Sequence, residues 1–100
     1  MVKDQSIVEL LTMLRLDERG WQVVDHWEAD LMAVGVADRR APRRLVYVST
    51  LGLAPGRYYY QCEKENGQNI ENYIVVGEDE DIGYQALVKV LEAHLSPPTS

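Results

Sequence analysis

The sequence predicts an α+β fold: a two-layer sandwich of order α-β-β-β-β-β-α, with a mostly antiparallel sheet and the N- and C-terminal helices packed on one of its faces. Three observations lead there. Apolar residues recur at helical spacing near the two ends of the chain. Between those ends the period drops to two, punctuated by short clusters of Gly, Pro and Asn. The chain has 100 residues, enough for one two-layer core, and no linker or repeat divides it, so 1–100 reads as a single domain.

The first helix is expected over about 5–19. Ser6 and Glu9 have the spacing of a capping box, and Ile7, Leu10, Leu11 and Leu14 form one apolar stripe. Arg15 and Arg19 suit the negative end of the helix dipole, and Gly20 suits the left-handed residue that ends a helix, with Trp21 folding back behind it. Trp21 begins a strand over about 21–27, and Leu31-Met32-Ala33-Val34-Gly35-Val36 reads as a second over 31–36, with Gly35 marking a bulge or a close approach. Residues 37–44 form a polar loop with Pro42 as its breaker.

The third strand, about 44–51, places Val46 and Val48 on one face and Leu45, Tyr47 and Ser49 on the other. Pro55 and Gly56 fit the central positions of a type II turn. The fourth strand, about 57–64, alternates Tyr58, Tyr60 and Cys62 with Tyr59, Gln61 and Glu63. A long loop over 64–72 leads to a short fifth strand, about 72–77, which Gly77 ends. Glu78-Asp79-Glu80-Asp81 then opens the last helix, about 81–95, with Asp81 as its N-cap and Tyr84, Leu87, Val88, Leu91 and Leu95 as its buried stripe.

Net charge is −6 and segregated. Arg39, Arg40, Arg43, Arg44 and Arg57 occupy a stretch without acids, whereas Glu63, Glu65, Glu71 and Glu78 to Asp81 share theirs with a single lysine. An acidic total repels nucleic acid at long range, and the strand and helix order is not that of an RRM, so nucleic acid is not the expected partner despite Arg57 beside three tyrosines. No apolar run is long enough to span a bilayer, and the polar N-terminus has no signal-peptide pattern. A lone cysteine excludes an internal disulfide and fits a reducing compartment, so the expectation is a cytoplasmic protein that uses no membrane.

The chain contains no phosphate loop, no CxxC, no HExxH and no GxGxxG. Cys62 with His26 or His94 is formally a nucleophile pair, but a strand cysteine more often behaves as a small buried hydrophobe. The four acids at 78–81 lack the alternate spacing of a calcium loop. No catalytic residue, cofactor or metal is therefore assigned. What stands out is six Tyr and two Trp with no Phe, aromatics suited to a half-wet sheet face or an interface.

In element order, one helix, five strands and one helix, the chain resembles the frataxin family. Its first helix carries Asp4, Glu9, Asp17 and Glu18, while its densest acids lie before the second helix, and Leu45-Val46-Tyr47-Val48-Ser49-Thr50 does not carry that family's tryptophan strand motif. The resemblance implies the plan of the fold and no functional residue. The alternative expectation is a frataxin-like metal or small-ligand binder that uses this chain's own acidic run, Glu78, Asp79, Glu80 and Asp81, with Glu63 or Glu65. The primary expectation is a non-enzymatic module of adaptor, chaperone or immunity type that binds another protein or a second copy of itself. Its expected binding residues are Tyr47, Tyr58, Tyr59 and Tyr60, rimmed by Arg43, Arg44 and Arg57.

Overall fold

The computed structural model describes residues 3–24, 30–66 and 69–95. It contains α1 (Gln5–Leu14), a one-turn α2 (Leu16–Arg19), five strands, β1 (Trp21–Val24), β2 (Ala33–Asp38), β3 (Ala41–Ser49), β4 (Arg57–Asn66) and β5 (Asn69–Gly83), and α3 (Tyr84–Leu95). The strands form one antiparallel sheet in sequence order, β1-β2-β3-β4-β5, as expected when short connections join neighbours. The fold is the predicted α+β arrangement, with helices from both ends of the chain on the same face. Ile7, Leu10 and Leu14 of α1 and Leu87, Leu91 and Leu95 of α3 are fully buried in one cluster with Val34, Val36, Val46, Val48, Tyr58 and Cys62. Each such side chain removed from water contributes about 1.5–3 kcal/mol.

The first helix is shorter than its periodicity indicates and differently capped. Asp4, not Ser6, is the N-cap: its carboxylate accepts the Ser6 N–H at 3.0 Å and the Ser6 hydroxyl at 2.6 Å. A carboxylate is the stronger acceptor, so it takes the cap. Having donated its proton there, the Ser6 hydroxyl accepts from Thr50 across 2.7 Å, tying the helix to the end of β3. Arg15 then breaks the helix at φ 51°. Leu14 and Leu16 would lie roughly 200° apart on a continuous helix. The break lets both reach the core, Leu14 fully buried and Leu16 packed against it. Arg19 donates from Nε to the Leu14 carbonyl at 2.8 Å, and its guanidinium lies 5.1 Å from the centre of the Trp21 ring. Gly20 is the left-handed terminator at φ 75°, with its N–H reaching back to Asp17 and Leu16.

The β2–β3 connection is not the predicted polar loop. Asp38 ends β2, only 1% exposed, and its carboxylate accepts the Arg40 backbone N–H at 2.8 Å and the guanidinium at 3.0 and 2.9 Å. This side-chain turn brings the chain round within Arg39 and Arg40. Pairing to β2 then jumps from Ala41 to Leu45, so Pro42, Arg43 and Arg44 form a bulge, the place in a sheet where a missing N–H is tolerated. The bulge lies here and not at Gly35, which pairs in regular register with Tyr47 and Val24. The 54–57 turn follows expectation: Gly56 has φ 80°, and the Arg57 N–H donates to the Ala54 carbonyl at 3.1 Å.

The largest departure is β5. Its pairing with β4 continues from Asn66↔Asn69 to Arg57↔Gly83, replacing both the long 64–72 loop and the acidic helix entry. The acids stay in the strand because β4 supplies donors. Arg57 Nε bonds the Asp81 carboxylate at 2.7 Å, while Tyr59 and Gln61 both donate to Glu78 at 3.1 Å. Asp81 therefore caps no helix; it occupies an irregularity of the strand at φ 57°, and α3 starts at Tyr84. The strand expected over 21–27 is described to Val24, and its remainder, with His26 and Trp27, lies outside the described residues.

Two outcomes test this packing. Leu87→Ala should lower unfolding free energy by about 2–5 kcal/mol in urea denaturation, because it leaves a void under the sheet. Gly20→Ala meets no neighbouring atom, so it should cost only the left-handed backbone penalty of about 1–2 kcal/mol. The Arg40 guanidinium beside Asp38 holds that carboxyl below the ordinary aspartate range. Its stabilisation is present above about pH 4 and lost as pH falls through the depressed folded value. Asp38→Asn should therefore be less stable near neutrality and show a shallower decline on acidification, read from urea midpoints across pH.

Candidate functional site

The face opposite the helices is built from three transverse rows, since paired residues in antiparallel strands project to the same side. Ala33, Ser49 and Tyr59 make the first row; Gly35, Tyr47, Gln61 and Glu78 the second; Ala37, Leu45, Glu63 and Val75 the third. Ala33, Gly35, Ala37 and Leu45 are buried, so the accessible part lies over β3, β4 and β5. There Tyr47, Tyr59, Gln61 and Glu63 are half-buried, while Val75 and Glu78 are exposed. Among the described residues no helix covers this region.

Tyr47 and Tyr59 form its centre. Their rings meet edge to face, with centroids 6.1 Å apart and planes at 77°. Such a contact contributes about 0.5–1.5 kcal/mol beyond area burial and fixes both rings. Gly35, the neighbour of Tyr47 on β2, brings no side chain beside it. Each hydroxyl is directed to a carboxylate: Tyr47 donates to Asp30 at 3.5 Å and Tyr59 to Glu78 at 3.1 Å. Burial raises both phenols above the ordinary tyrosine range, and the nearby carboxylates, Asp30 for Tyr47 and Glu78 for Tyr59, raise them further by disfavouring a phenolate. The pair is thus a rigid, uncharged aromatic platform with acids at its edges.

The structure divides the tyrosine triplet. Tyr58, 4% exposed, belongs to the core, and Tyr60 packs partly against the same cluster; only Tyr59 faces the other side. The reason is register: Val48↔Tyr60 and Val46↔Cys62 place even-numbered β4 residues beneath the helices. The arginines do not gather around the pair. Arg57 is held by Asp81, Arg44 is exposed in register with Lys64, and the side chain of Arg43 lies outside the described residues. Asp30 and Glu78, the carboxylates that do meet the pair, were hidden because neither lies on the strand of the tyrosine it serves.

Cys62 and His94 do not meet as nucleophile and base. Cys62 is buried, and burial pushes its thiol up, away from thiolate character. The His94 Nε2 instead lies 2.9 Å from the Glu63 carbonyl, joining α3 to β4. Among the described residues no three His, Cys, Asp or Glu converge as a metal requires, and the acids at 78–81 are spread along one strand. A cleft of about 250 Å³ opens between the start of α1 and the 53–57 turn. It is smaller than the usual ~300–1,000 Å³ of small-molecule sites. The Asp4, Ser6 and Thr50 groups lining it bond one another, and Arg57 is engaged by Asp81. No described helix is long and apolar enough to cross a membrane.

Comparison with protein-family models, with curated proteins and with solved structures finds no match.

Two measurements check this electrostatic picture. Ultraviolet titration of Glu78→Gln should move Tyr59 ionisation down towards, but not to, the ordinary tyrosine value, since burial persists. Native Cys62 should react with iodoacetamide far more slowly than the unfolded chain, by an amount that tracks global stability in urea.

Proposed function

We propose that this protein is a non-enzymatic binding module whose partner is another protein, contacted through the face centred on Tyr47 and Tyr59. The observation that carries the reading is the edge-to-face pair itself: two ordered, half-buried tyrosines on a sheet face that no described helix covers. Tyrosine supplies large contact area at low entropic cost, and residues of this type tend to dominate interface energetics when they sit near the centre of a patch. Val75 and Glu63 extend the patch in the neighbouring row, which adds an apolar and a charged contact. Tyr58 contributes stability to this reading, not contact, because it is buried beneath the helices.

The metal-binding alternative has no convergent ligand set among the described residues to support it. A self-association version of the binding reading differs only in the identity of the partner.

The test is a photo-crosslinking amino acid placed at Tyr59, compared with the same group at exposed Met13 on the helix side. Discrete adducts, either to a cellular protein or to a second copy, are expected from the Tyr59 position alone. Once a partner is in hand, Tyr59→Ala should weaken binding by about 2 kcal/mol, roughly thirtyfold in Kd. If light scattering shows a monomer, Tyr59 yields no adduct, and Tyr47→Ala and Tyr59→Ala alter stability alone, the reading is wrong.

A further inference from the structure

We propose that the cleft between the start of α1 and the 53–57 turn binds a small primary amine, whose ammonium group meets Asp4, Glu9 and the Tyr58 hydroxyl and whose short apolar tail lies against Met32 and Leu53. The observation that points to a ligand is Tyr58. This residue lines the cleft and is only 4% exposed, yet among the described residues its hydroxyl has no hydrogen-bond partner. The hydroxyls of Tyr47, Tyr59 and Tyr84, by contrast, each donate to a carboxylate or a carbonyl. Among the described residues no fully buried polar side-chain atom lacks a partner, so the Tyr58 hydroxyl opens into the cleft it lines. A nearly enclosed phenol oxygen that bonds nothing within the protein is an acceptor left for a bound group.

The charge around that hydroxyl selects a cation. Ser6 donates both its N–H and its hydroxyl to Oδ2 of Asp4, which leaves Oδ1 available as an acceptor. The same two bonds hold the Asp4 carboxyl below the ordinary aspartate range, so it keeps its charge. Glu9 adds a second carboxylate to the lining, and among the described residues no cation pairs with either acid. Lys3, the nearest base in sequence, directs its ammonium to the Asp30 carbonyl at 2.8 Å. Burial, then Tyr84 and Glu9, raise the Tyr58 phenol above the ordinary tyrosine range, so it stays neutral beside the carboxylates. An anion finds no comparable partners. The Ser6 N–H at the helix start is taken by Asp4, and Arg57, the base in the lining, is paired with Asp81 at 2.7 Å.

Size sets the other limit. A cavity of about 150 Å³ accommodates benzene, so the 250 Å³ of this cleft holds a molecule of roughly six to ten non-hydrogen atoms. Met32, Leu53 and Pro55 supply the apolar part of the wall. The occupant that satisfies both limits is a short alkyl or arylalkyl ammonium ion, with its three N–H groups divided among the two carboxylates and the phenol oxygen.

The experiment adds isoamylamine and phenethylamine, as hydrochlorides, to the ¹⁵N-labelled full chain and follows amide resonances by nuclear magnetic resonance. Saturable shifts at millimolar amine are expected over residues 4–9 and 53–58, while isovalerate and isoamyl alcohol, which carry the tail of isoamylamine without its charge, should leave them in place. Tyr58→Phe removes a hydroxyl that bonds nothing in the protein, so its urea midpoint should hold while amine affinity falls about tenfold, the loss of a hydrogen bond to a charged group. Glu9→Gln should weaken the amine severalfold and leave stability unchanged. Tyr47→Ala should bind the amine as tightly as the native chain, which separates this cleft from the tyrosine face. An equal response to isovalerate or the alcohol, shifts centred on Tyr47 and Tyr59, full affinity in Tyr58→Phe, or no saturable shift with either amine would overturn the proposal.

Discussion

The register of β3 against β4 is the constraint on which the rest depends. Val46 faces Cys62 and Val48 faces Tyr60 beneath the helices, and this assigns Tyr47 and Tyr59 to the other side. Because side chains alternate strictly, a slip by one residue would exchange every member of one face for its neighbour. The penalty for a slip is large, since Val46 and Val48 would leave a core already closed by six fully buried residues of α1 and α3. The helices therefore determine the aromatic character of a face they never touch.

That second face is graded. Towards β2 it is small and buried, with Ala33, Gly35 and Ala37 in succession. Towards β4 and β5 it carries longer polar and aromatic side chains whose hydrogen bonds run between strands: Tyr59 and Gln61 to Glu78, and Tyr47 to Asp30. Polar groups bonded to one another can be held rigid while half exposed, and they lose less freedom when a partner covers them. The acids of the 78–81 run thus have structural duties before any external one. Glu78 orders Tyr59, and Asp81 holds Arg57.

Periodicity made the element order, the helix face, the Gly20 stop and the Pro55-Gly56 turn legible in the sequence, since each rests on neighbours within a few positions. The readings that changed all depend on contacts between distant residues. Ser6 and Glu9 have capping-box spacing, but two positions earlier Asp4 offers a stronger acceptor, and Thr50, 44 residues away, engages the serine hydroxyl. Asp38 looks like an ordinary loop acid until its burial makes the Arg40 contact decisive. The run at 78–81 has helix-entry composition, yet cross-strand donors on β4 outweigh that local preference. The tyrosine triplet showed that both faces receive an aromatic. Which tyrosine goes where required the pairing of β4 with Val46 and Val48.

The helices that close this core come from opposite ends of the chain, α1 before the first strand and α3 after the last. During synthesis the five strands emerge before the segment that covers β3, β4 and β5 exists. Until about residue 95 has cleared the ribosome, Val46, Val48, Tyr58 and Cys62 lack the cover that α3 supplies, and an incomplete sheet with exposed apolar surface is prone to adhere to its neighbours. Order of translation thus leaves a brief window of vulnerability, and the carboxylates that arrive just ahead of α3 place repulsive charge on the nascent edge during that interval.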